Sequence, residues 1–205
     1  MSNLSKLLFL TTTFVTLSAS GMEGAFEDLL QQLSEIDPTT KFAAAQELAQ
    51  MEKQNSGILG EYAPAVQRAL VDGYYVQLSE ANPATKFAAA EELARLELRY
   101  PGTLGGYTQR VLQILMDSLG GADLERRHAA AYTLRELNDQ SPGTLSEEDF
   151  QKVLPILVDA YLLHLDGEQS VQRAAAGELA YLEQQKPGIL GENLQRIQQI
   201  LAAHQ

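Results

Sequence analysis

The chain has 205 residues, three histidines, no cysteine, and 27 acidic side chains against 15 lysines and arginines, for a net charge of −12. That balance excludes the basic surface a nucleic acid needs, and the lack of cysteine excludes disulfides, thiolate zinc sites, iron–sulfur clusters and a cysteine nucleophile. An apolar content of 45% argues against disorder, and 33 leucines with 26 alanines favour helix.

The first 22 residues carry one base, Lys6, and no acid, while all 27 acids lie beyond Gly21. Leu7–Leu17 reads LLFLTTTFVTL and is followed by the small residues Ser18, Ala19, Ser20 and Gly21. A basic start, a short apolar run and a small-residue exit form a secretory signal pattern. The expectation is a signal peptide over residues 1–21, a mature chain beginning near Ser20 to Met22, and export to the periplasm or the medium. An apolar start that stays uncleaved would instead tether the rest at a membrane surface. The run is too short to span a bilayer, which needs about 20 apolar residues.

Beyond it, one pattern recurs four times. Lys41-Phe42-Ala43-Ala44-Ala45-Gln46-Glu47-Leu48-Ala49 returns as Lys86-Phe87-Ala88-Ala89-Ala90-Glu91-Glu92-Leu93-Ala94. It returns again as Arg127-His128-Ala129-Ala130-Ala131-Tyr132-Thr133-Leu134 and as Gln172-Arg173-Ala174-Ala175-Ala176-Gly177-Glu178-Leu179-Ala180. The steps between first alanines are 45, 41 and 45 residues. A second marker keeps the same steps: Ser56-Gly57-Ile58-Leu59, Pro101-Gly102-Thr103-Leu104, Pro142-Gly143-Thr144-Leu145 and Pro187-Gly188-Ile189-Leu190. Two markers in phase predict a repeat of two helices per unit.

In chain order, a short first helix is expected over about Gly24–Glu35. The second helix of each unit starts at a polar cap: Asp37 before Pro38, Asn82 before Pro83, and Asp123. The fourth unit offers Glu168, a poorer cap, so Asp166-Gly167 is expected to take over. Ala44, Leu48 and Met51 share one face of that helix, as do Ala89-Leu93-Leu96, Ala130-Leu134-Leu137 and Ala175-Leu179-Leu182. Pro-Gly ends it. The intervening first helices show the stripes Val111, Ile114, Leu115, Ser118 and Val153, Ile156, Leu157, Tyr161. A last helix, about Glu192–Ala203, should cap the array with Gln195, Arg196, Gln198 and Gln199 outward.

The pair Asn82, Thr85-Lys86, Ala88-Ala89, its counterpart Asp37, Thr40-Lys41, Ala43-Ala44, and in part Asp123 with Arg126-Arg127 resemble the second helix of HEAT-type repeats, with armadillo packing the near alternative. Pro155 resembles that family's first-helix proline. The resemblance covers about residues 24–205. It implies an all-α fold, a right-handed α-solenoid of about four helix pairs with a C-terminal capping helix. It also implies a ladder of acids and bases between neighbouring second helices, to which Asp37, Asp123, Lys41, Lys86 and Arg127 could contribute.

No motif for catalysis stands out. His128 replaces Phe42 and Phe87 at an equivalent position and is read as a half-buried histidine at a helix interface. His164 and His204 stand alone at helix ends, where a charge near carbonyl groups is favourable. Glu91-Glu92 and Glu147-Glu148-Asp149 read as solvated helix surface, and Tyr62, Tyr74, Tyr75 and Tyr107 as packing. No catalytic residue, cofactor or metal ligand is therefore expected.

What varies between copies is one face of the second helix. Three residues past the first alanine stand Gln46, Glu91, Tyr132 and Gly177; seven past it stand Gln50, Arg95, Glu136 and Tyr181. Stacked helices would set these in two columns. The expected function is a non-catalytic exported scaffold that binds a protein or peptide, basic by charge complementarity, through Gln50, Glu91, Arg95, Tyr132, Glu136 and Tyr181. An accessory or lyase-like subunit of an enzyme is the rival reading.

Overall fold

A computed structural model describes residues 19–203, with side-chain environments from Gly24 onward. The expected signal segment lies largely outside these residues, and Ala19–Gly21 begin the first helix. The described residues form an all-α protein: α1 (Ala19–Leu33), α2 (Pro38–Gln54), α3 (Ala63–Gln77), α4 (Pro83–Arg99), α5 (Thr108–Leu119), α6 (Leu124–Gln140), α7 (Glu147–Leu162), α8 (Gln169–Gln185) and α9 (Leu194–Ala202). Short 3-10 turns at Gly60–Tyr62, Gly105–Tyr107 and Gly191–Asn193 precede α3, α5 and α9. The first helix starts earlier than the sequence pattern suggests, and the last one is shortened by its 3-10 turn.

The four second helices, α2, α4, α6 and α8, are each 17 residues long. Their starts follow from cap chemistry. Asp37 accepts from the Thr40 N–H, Asn82 from that of Ala84 and Asp123 from that of Arg126. Each satisfies one of the amides that a helix start leaves unpaired. Glu168 makes no such bond, and the expected substitute fails too. Asp166 turns instead to the Arg196 guanidinium of α9, while the Gln172 amide closes the turn by donating to the Leu165 carbonyl, 2.7 Å.

The ends share one device. The Glu97 carboxylate accepts from the N–H groups of Gly102 and Leu104, at 2.7 Å each. Glu52 does the same for Gly57 and Leu59, and Glu183 for Gly188 and Leu190. In the third copy Asn138 reaches only Leu145. The chain can reverse there because the marker glycine adopts φ of 91° at Gly57, 89° at Gly102, 90° at Gly143 and 91° at Gly188. A residue with a Cβ is strained at such angles.

The contacts divide the chain within α3, at Leu70–Val71, into two compact units. In the first, α1 packs on α2 and buries Leu29, Ala44, Ala45 and Leu48, while Phe26 meets Tyr62 edge-on at 6.4 Å. In the second, α4 packs on α5 and α6, α5 on α6 and α7, α6 on α7, α7 on α8, and α8 on α9. Its core repeats one layer per second helix: Ala89, Ala90 and Leu93; Ala130, Ala131 and Leu134; Ala175, Ala176 and Leu179. Each of these leucines has no exposed surface, so burial contributes about 1.5–3 kcal/mol apiece. In α5 the inward positions are Val111, Leu112, Ile114, Leu115 and Leu119; Ser118 is only half-buried and returns its hydroxyl to the Ile114 carbonyl. The counterpart of Tyr161 is thus Leu119, one residue beyond Ser118.

Within the second unit no rung of the implied acid–base ladder forms among the described residues. Asp37 and Asp123 bond within their own helices, and Lys41, Lys86 and Arg127 enter no ion pair among the described residues. The Arg127 Nε is buried without a hydrogen-bond partner.

Candidate binding surface on the second helices

The two columns read from the sequence lie mostly in solvent. Gln46 and Gln50 are exposed on α2, Arg95 on α4, Glu136 on α6, and Gly177 and Tyr181 on α8; Glu91 and Tyr132 are half-buried. The reason is helical spacing. The positions one, two and five residues past the first alanine face the core, which leaves three and seven on the other side. Arg95 is held by both Glu91 and Glu92, so α4 presents a tethered charge.

On α6, α7 and α8 the structure gathers a cluster that the columns name only in part. Arg135 is the hub, with its side chain 15% exposed. Its Nη1 donates to Glu178 of α8 at 2.6 Å and to the Tyr161 hydroxyl of α7 at 2.8 Å. Its Nε donates to Asp139 at 3.2 Å, and the guanidinium lies over the Tyr181 ring, 5.1 Å from its centre. Tyr132 meets Tyr161 edge-to-face at 5.1 Å. Tyr132 and Tyr181, two of the expected binding residues, are therefore joined through Arg135 and Tyr161. Glu136 points away into solvent beside them, and the structure does not draw it into the cluster.

The electrostatics follow from this packing. Burial pushes the Tyr161 and Tyr132 phenols above the ordinary tyrosine range, which keeps both neutral. Burial also works against the charge on Arg135, but its bond to Glu178 and the neighbouring Tyr161 and Asp139 outweigh that and raise its pKa. The cluster is a satisfied polar bridge, with no carboxyl pair poised for proton transfer.

Sequence reading passed over Arg135 and Glu178 and placed Tyr161 merely in a core stripe. A signal was there: six residues past the first alanine the copies carry Ala49, Ala94, Arg135 and Ala180. One arginine among three alanines marks a place where packing had to change.

His128 sits half-buried on α6 with its Nε2 lacking a partner, and burial, helped by the Arg127 charge, lowers its pKa. His164 is exposed just past α7, and the His204 side chain lies outside the described residues. Glu147, Glu148 and Asp149 occupy the first turn of α7, capped by Ser146, where acids are favoured. Tyr75 stacks on Tyr107 at 4.0 Å. Among the described residues no three His, Asp or Glu side chains converge as a metal would require, and no helix is long and apolar enough to cross a membrane.

Among the described residues the chain is all-α, with nine α-helices and no strand. No family model matches the chain, and no curated protein is significantly similar to it.

Proposed function

We propose that the chain is a non-catalytic scaffold, a right-handed α-solenoid of HEAT-like helix pairs, that binds a protein or peptide along its second helices after export. One observation carries this reading. In all four second helices the residues facing the core are nearly the same, while Gln50, Arg95, Glu136 and Tyr181 are exposed and chemically unlike one another. Repeat scaffolds commonly bind partners on such an extended surface. Aromatic and arginine side chains, here Arg95, Tyr132 and Tyr181, are the types that concentrate binding energy. The charge of −12 favours a basic partner and an association that slows as salt rises.

The test is comparative capture from the extracellular and periplasmic fractions of the native host. The parent chain, a chain with Arg95→Ala, Glu136→Ala and Tyr181→Ala, and a control with Arg110→Ala on α5 are compared. A partner kept by parent and control and lost by the triple variant supports the columns. Equal retention by all three rejects them, and an intact Met1 on protein in the cytosol rejects export.

A further inference from the structure

We propose that Arg135 is a latch on a joint that opens and closes, so that α8 and α9 form an arm hinged on α7. The argument starts from how successive second helices meet in the second unit. Helices α4 and α6 lie directly against each other. They are pinned near both ends: Arg126 sits over the Phe87 ring at 5.6 Å, and the Gln140 amide donates to the Leu98 carbonyl at 2.7 Å. Helices α6 and α8 make no comparable backbone approach. What spans them is the Arg135 side chain, in the position that holds alanine in the other three copies.

The first helices reinforce the difference. Between the third and fourth helix pairs, α5 touches α7 while α6 and α8 stand apart. The second-helix side is wedged open there, and Tyr132, Arg135 and Tyr161 fill it. Tyr161 supplies the wedge because it replaces the smaller Leu119 of α5.

Such a bridge holds weakly. The side chains of Glu178 and Asp139 are 42% and 44% exposed, so water reaches the carboxylates that Arg135 grips. An ion pair open to water contributes little net free energy, and holding a long arginine in one rotamer costs entropy. The Tyr181 ring, 39% exposed, is likewise a face that arginine can leave. Helix α8 packs directly on α7 and on α9, whereas α6 joins it only through the common apolar core of Leu134, Val153, Leu157, Leu179, Leu182 and Ile197. The arm therefore moves as a body when the latch releases. Tyr132 and Tyr181 belong both to this cluster and to the proposed binding face, yet the latch does not rest on that reading, because every bond in it is made within the chain.

The absence of cysteine makes the test direct. Spin labels at Glu136→Cys and Gln184→Cys report the α6–α8 separation; labels at Arg95→Cys and Glu136→Cys report α4–α6 as the reference. Pulsed dipolar measurements should give a broader distribution for α6–α8 than for the reference. In about 1 M salt, where the Debye length is about 3 Å, the α6–α8 distribution should gain a population longer by several ångströms. Arg135→Ala should make that longer population dominant, Arg135→Lys should restore part of the short one, and the reference pair should not move. An α6–α8 distribution as narrow as the reference, and unmoved by salt and by Arg135→Ala, overturns the latch and leaves a rigid bridge. If Arg135→Ala does not fold, the salt series on the parent chain decides alone.

Discussion

The contact of α4 with α6 and the joint of α6 with α8 are built from the same repeat by opposite means. In the first, Ala94 has no exposed surface and the two helices close on each other. In the second, the equivalent residue is Arg135, and charge and aromatic rings bridge helices whose backbones stay apart. A seam of alanines gains from close contact of many atoms, each pair contributing little. A seam bridged by one guanidinium depends on a few directional bonds that water can replace. One substitution at a seam position thus separates a stiff joint from a yielding one in the same unit.

Exchanging the two residues tests that contrast most severely. Ala94→Arg should destabilise the second unit by more than about 3 kcal/mol in urea unfolding, because it forces an unpaired charge into a closed seam. A loss below about 1 kcal/mol would show that the α4–α6 seam has room to yield, and the distinction would fail. Arg135→Ala should cost less, about 0.5–1.5 kcal/mol, through the lost bonds to Tyr161 and Glu178. Double substitution with Glu178→Gln should show coupling between Arg135 and Glu178 across the α6–α8 joint larger than that between Arg126 and Phe87 across α4–α6.

Alkali sharpens the comparison further. Tyr132 and Tyr161 have pKa values raised in the folded chain, so their contribution is complete below the ordinary tyrosine value near 10 and is lost as pH rises through the folded values. The melting temperature should fall above about pH 10, and Tyr161→Phe should flatten that fall. An unchanged slope in Tyr161→Phe would place the alkaline sensitivity elsewhere. The smallest effect is expected at Gly177. It lies exposed in the middle of α8, and a Cβ there would meet nothing within 4 Å. Gly177→Ala should stabilise the chain by about 0.5–1 kcal/mol. A loss of stability would mean that the α8 surface near Tyr181 is closer to a neighbour than its open environment indicates.

Much of this organisation was legible in the residues themselves. The repeat markers placed α2, α4, α6 and α8 and their buried alanines and leucines, because helical periodicity and cap chemistry act over four or five neighbours. Asp37, Asn82 and Asp123 were identified as caps on the same local grounds. The columns of varied residues were legible too, since a position's side of a helix follows from counting. Asp166 was misread as a cap because its partner, Arg196, lies 30 residues on. The loop-closing role of Glu52, Glu97 and Glu183 was missed although the spacing of five and seven residues recurs three times. Carboxylates near a helix end look like any solvated surface until the backbone turns back to meet them.

The sequence by itself determined the helices, their repeat and the face each one buries, because those depend on contacts a few residues apart. Tertiary structure alone decided which second helices close on each other and which part. The gap between α6 and α8 depends on where Tyr161, 26 residues from Arg135, and Glu178, 43 residues from it, arrive in space. No spacing rule reaches that far, since the distance between two helices is set by the sum of side-chain volumes packed between them.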